Sequence, residues 1–144
     1  MKKIVLLLSI FTILIIGLYS CKSPKEVADE QPNRSFVIGS GGGFTGAYVS
    51  YRVNSNGEIE QKDGESYSFF KRIPADSAAV CFQGLDELAL EGYTFHHPGN
   101  MSYFIEINSK TITWGSSNHS IRNDIDAFYK RSNQMIRADY NLSD

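Results

Sequence analysis

Residues 44–53, FTGAYVSYRV, put Ala47, Val49, Tyr51 and Val53 on one side of an extended chain and Tyr48, Ser50 and Arg52 on the other. A period of two over a run rich in aromatic and β-branched residues specifies a strand with two unlike faces. Asn56-Gly57 follows, a strong hairpin signal, and Glu58 to Lys62 can pair back. Lys62-Asp63-Gly64-Glu65 makes a second turn into the extended run Ser66 to Ile73. Upstream, Phe36-Val37-Ile38 reads as a short apolar strand, broken by the run Gly39-Ser40-Gly41-Gly42-Gly43.

The period then changes. Ala78, Cys81, Phe82, Leu85, Leu88 and Ala89 form a stripe at helical spacing. The predicted helix runs from Asp76, a suitable N-cap, to about Glu91, with Gly92 as its stop. His96-His97-Pro98-Gly99-Asn100 reads as a loop. Met101 to Ile107 and Thr111 to Trp114 read as a second hairpin around Asn108-Ser109-Lys110. A final helix begins near Ser120, with Ile121, Ile125, Phe128, Tyr129, Met135 and Ile136 on its apolar face. These elements predict one α+β domain over residues 36–137: an antiparallel sheet of four to five strands with two amphipathic helices packed on one face.

The chain ahead of this domain is of another kind. Lys2 and Lys3 precede an apolar run of 15 residues, Ile4 to Leu18. As a helix that run spans about 22 Å, short of the roughly 30 Å hydrocarbon core. It ends at Leu18-Tyr19-Ser20-Cys21. Residues 1–20 thus read as a secretory signal peptide, and the closing cysteine resembles the lipobox of bacterial lipoproteins. That resemblance implies cleavage before Cys21, lipidation of Cys21, and a membrane partner held through that lipid. Residues 21–35 are polar, contain two prolines and show no apolar period, as in a disordered tether. Lys22 stands where an aspartate, in enterobacterial lipoproteins, marks inner-membrane retention. The resemblance therefore implies a place in the cell envelope, at the outer membrane, facing the periplasm or the surface. Residues 138–144 form a tail.

Charge narrows the partners. The chain has 14 basic and 16 acidic residues; without Lys2 and Lys3 the basic count is 12, a net of −4. No basic stripe offers itself to phosphates, so nucleic acid is not expected as a partner. Gly41-x-Gly43-x-x-Gly46 satisfies the spelling of a nucleotide loop, but a strand follows it where a helix N-terminus would be needed, and no nucleotide is expected. The run suits a hairpin or bulge instead. His96, His97 and His119 lack metal-ligand spacing, so neither a metal nor a cofactor is expected. No GxSxG elbow or other catalytic set stands out. Cys81 shares the helix stripe and reads as a buried, inert thiol. Trp114, Tyr103 and Phe104 suit the core of a small sheet, with an aromatic sugar platform as the alternative.

The order of these motifs is similar to that of emfourin-like proteins, small α+β inhibitors of thermolysin-type zinc peptidases. The matching features are Gly42-Gly43-Phe44-Thr45-Gly46, Leu85-x-x-Leu88, Tyr103-x-Ile105-x-Ile107, Thr111-x-Thr113-Trp114 and the closing helix. They span about residues 36–137, and GGFTG is the distinctive string. The chain departs by an extra segment around residues 54–73 and by its lipid anchor, in which it resembles exported lipoproteins of Bacteroidetes type. The resemblance implies a non-enzymatic binding module that inhibits an envelope metallopeptidase. The candidate partner-binding loop is Gly41, Gly42, Gly43, Phe44, Thr45 and Gly46. The alternatives are a structural or assembly lipoprotein that docks on an envelope protein, and a hydrolase with an unrecognised site.

Overall fold

Strand β1 (Ser35–Gly42) occupies the middle of the sheet. It pairs antiparallel with β2 (Ala47–Asn54) on one side and with β6 (Met101–Ile107) on the other. Beyond β2 lie β3 (Glu58–Asp63) and β4 (Ser66–Arg72). Beyond β6 lie β7 (Lys110–Gly115) and the two-residue β5 (His96–His97). The computed structural model describes residues 33–117 and 120–140, within the unit Pro32–Asp144. The expected signal peptide, Cys21, the tether as far as residue 32, His119 and the last four residues of the tail lie outside the described residues.

Register decides which side chains share a face. Phe36 and Ile38 of β1 lie opposite Val53 and Tyr51, and Ile38 lies opposite Ile105, which lies opposite Ile112. These residues make the covered face. Helix α1 (Ala75–Glu87) supplies Ala78, Phe82 and Leu85 to it, and helix α2 (Asn123–Arg137) supplies Ile125, Phe128, Tyr129 and Ile136. Both helices pack on that one face around a single core. The α+β class and the two amphipathic helices are as the sequence implies.

The sheet is larger and of mixed direction. Among the described residues it has seven strands in the order β4-β3-β2-β1-β6-β7-β5, where four to five antiparallel strands were expected. The additions have distinct causes. Helix α1 carries the chain from the β4 edge to the β5 edge, so His96 and His97 meet β7 in parallel where a loop was expected. Two residues are too few to show a period in sequence. The glycine run does not break β1 either. Gly39, Gly41 and Gly42 are paired on both sides, with β2 and β6.

What keeps a glycine-rich strand in place is cover from its neighbours. On the face away from the helices, the Tyr48 ring lies against Gly41 and the Phe104 ring against Gly39, each filling the space a side chain would take. Phe104 therefore belongs to the open face. Trp114, 1% exposed, is core, and Tyr103 is half-buried against it. The three do not form one platform.

Helix ends also depart from expectation. The N-cap of α1 is Pro74, with no side-chain cap bond. The helix stops at Glu87 because Ala89 takes a left-handed conformation, φ 46°. The Leu88 carbonyl beyond it accepts a hydrogen bond from Arg122 Nη2 at 2.9 Å, and a cation at a helix C-terminus suits its dipole. Helix α2 begins at Asn123, later than Ser120.

Candidate functional site

The β1–β2 connection is the four-residue loop 43–46, closed by the Gly42–Ala47 pair. Phe44, placed in a strand by the sequence pattern, stands at its tip and is fully exposed, at 107% of its reference area. An unburied phenylalanine forgoes roughly 1.5–3 kcal/mol of burial free energy, so folding alone does not place it there.

The loop is held rather than loose. The Gly43 N–H donates to the Asn100 carbonyl at 2.5 Å, and the Gly46 N–H donates to the Gly43 carbonyl at 3.3 Å. Gly42 has φ 105°, and any side chain on it would strike the Asn100 carbonyl. This position requires glycine. Asn100 is itself fixed from behind. Ser102 is buried; its hydroxyl donates to the Gly99 carbonyl and accepts from the Gly99 N–H, each at 3.1 Å. The Ser116 N–H then donates to the Met101 carbonyl at 2.8 Å. A tip braced in this way loses little freedom when it binds.

Near the tip lie further exposed apolar side chains, Tyr48 (63%) on the open face of the sheet and, by register, Val49 (43%) and Met101 (38%) on the other. The chain segments nearest the tip, residues 39–49, 98–104 and 113–117, contain no Lys, Arg, Asp or Glu. Aromatic residues and methionine in a charge-depleted patch are the composition of the centre of a protein–protein interface. Of the six loop residues singled out in the sequence, Gly41 and Gly42 are strand residues that fix the stem, and Gly43, Phe44, Thr45 and Gly46 form the projecting part. Sequence reasoning missed Tyr48, Met101 and the Asn100–Ser102 brace. The HHPGNMS string signalled a turn but nothing in it signalled its contact with the glycine loop.

Other features carry less chemistry. Among the described residues no group of three or more His, Cys, Asp or Glu side chains is placed to hold a metal ion, and no helix is long and apolar enough to cross a membrane. Cys81 is only partly buried. Its Sγ lies 3.6 Å from Ser132 Oγ in a groove of about 540 Å³ between α1 and α2, lined also by Val80, Gly84, Phe128 and Met135. Burial pushes the thiol pKa up, more than Ser132 and Arg131 pull it down. Less thiolate is then present near neutral pH, and thiolate is the reactive form. In a chain carrying Cys21→Ala, alkylation of Cys81 at pH 8 is expected to run several-fold slower in the folded state than in denaturant. Equal rates in the two states would contradict this environment.

Asp86 is pulled below the usual carboxylate range by its bonds to Arg34. Both groups are exposed, so the pair is a surface clasp on the start of β1. Tyr129 is pushed up by burial against hydrogen bonds from Ser40 and Asn133, which marks it as a neutral core hydroxyl. Compared with known proteins, the chain matches no family model and no curated sequence at a significant level.

Proposed function

We propose that this chain is an exported, lipid-anchored, non-catalytic binding module that engages a partner protein through the hairpin tip 43–46. The observation that carries this reading is the braced, fully exposed Phe44 at a charge-free end of the sheet. A lone aromatic anchor on a rigid support, ringed by less critical contacts, is how interface hot spots are built. The partner we propose is a thermolysin-type metallopeptidase of the same envelope, from the likeness of GGFTG and the order of motifs to emfourin-like inhibitors. Docking on a non-catalytic envelope protein is the second reading. It is favoured by the exposed apolar side chains beyond the tip, Tyr48 on one face of the sheet and Val49 and Met101 on the other.

The test is a titration of the purified protein into metallopeptidases from its own envelope fraction. Stoichiometric loss of peptidase activity supports inhibition. Capture of a non-peptidase envelope protein, with every peptidase unaffected, supports docking. The anchor has its own check. Radiolabelled fatty acid is expected to enter the wild-type chain and to be absent from Cys21→Ala; equal labelling of the two would remove the lipid from this proposal.

A further inference from the structure

Met101 stands where a change in its chemistry would reach the hairpin tip. It is the first residue of β6, pairs with Gly42 of β1, and is 38% exposed. Its Sδ lies against Gly43, 3.2 Å from where a Cβ on that glycine would stand. Gly43 has φ 68° and gives its N–H to the carbonyl of Asn100, the residue just before Met101. The Ser116 N–H holds the Met101 carbonyl. One solvent-open thioether thus covers the base of the loop, and the main chain on either side of it bears the brace. Met135, the other methionine among the described residues, is only partly exposed and packs against the core in the α1–α2 groove.

A thioether is apolar and polarisable, and adapts to the surface it covers. Its sulfoxide is polar and chiral, and disrupts the packing that the thioether made. We propose that Met101 is an oxidation site that controls the hairpin tip: conversion to the sulfoxide frees Gly43 from Asn100 and loosens residues 43–46.

The oxidant is hydrogen peroxide. A sulfur lone pair attacks one peroxide oxygen, and the S–O bond forms as the O–O bond breaks. The proton on the attacked oxygen passes to the departing hydroxide, which leaves as water. Sulfur loses two electrons and the peroxide gains them. The new oxygen is an acceptor that competes with the Asn100 carbonyl for the Gly43 N–H, and the larger, polar group no longer suits the glycine beneath it. Sulfoxide reductases reverse the step, so the change can act as a switch. Its effect on binding rests on the reading of the tip as the partner site: a tip without its brace loses more freedom when it binds.

The test exposes the full chain in mild detergent to hydrogen peroxide, beside Met101→Leu, which keeps an apolar side chain and lacks the sulfur. Each protein is compared with itself untreated, so oxidation of Cys81 or Met135 is common to both. Peptide mass mapping is expected to show one added oxygen on Met101 before Met135. Amide exchange at Gly43, read by nuclear magnetic resonance, is expected to quicken at least tenfold in the treated wild type. It should stay unchanged in treated Met101→Leu, and slow again in the wild type after methionine sulfoxide reductase with dithiothreitol. Unchanged Gly43 exchange with Met101 fully oxidised would overturn the inference. So would an equal gain in both proteins, or oxidation of Met135 ahead of Met101. Partner binding is measured in parallel. Faster Gly43 exchange with undiminished binding would support the oxidation site and move the partner away from the tip.

Discussion

Replacing Trp114 by alanine is expected to remove a large share of the domain's stability. Trp114 is 1% exposed and sits between two tyrosines, with ring centroids 6.0 Å from Tyr103 and 5.2 Å from Tyr129. Truncation of a buried tryptophan costs about 3–5 kcal/mol, against a total of roughly 5–15 kcal/mol for a domain. At this size each kcal/mol moves the melting temperature by about 4–8 °C. Urea unfolding should show the midpoint falling sharply with its slope unchanged. A loss below about 1 kcal/mol would mean that the site collapses around the missing ring. The core would then rest on Phe36, Phe82 and Phe128, whose rings meet at 5.4 and 5.6 Å.

Phe44 is expected to behave in the opposite way. Phe44→Ala removes no buried surface from the free protein, so its melting temperature should stay within about 2 °C of wild type. Binding to the partner should weaken by thirtyfold or more, the roughly 2 kcal/mol or greater typical of a hot spot. Surface plasmon resonance with the captured partner measures this directly. Unchanged affinity would move the binding site away from the hairpin, with Tyr48 and Met101 as the next residues to truncate. The two variants together separate a folding effect from a binding effect, since each is expected to change one quantity and spare the other.

Elements with a local signature were legible in the sequence. The stripe Ala78, Phe82, Leu85 gave the inner face of α1, Asn56-Gly57 gave the β2–β3 turn, and Met101 to Trp114 gave a hairpin, all as observed. What escaped depends on residues distant in the chain. Gly39 belongs to a strand because Phe104, 65 positions later, covers it. Gly43 is fixed because Asn100 accepts its N–H. β5 exists because α1 delivers it beside β7. The candidate loop was legible as glycines and a phenylalanine. Its rigidity was not, because no period or spacing encodes a brace from another hairpin.

The central place of β1 has a mechanical consequence. The described chain enters the sheet at Ser35, and the tip stands at the far end of the same strand, about 27 Å away at some 3.4 Å per residue. Tension between an attachment upstream of Ser35 and a partner gripping Phe44 runs along ten residues of backbone, eight of them already extended in β1. Ladder hydrogen bonds lie across that line of force, so none has to break for the load to pass. The helices and the other strands hang beside the loaded segment. A partner can therefore pull on this domain through its tip without unzipping it.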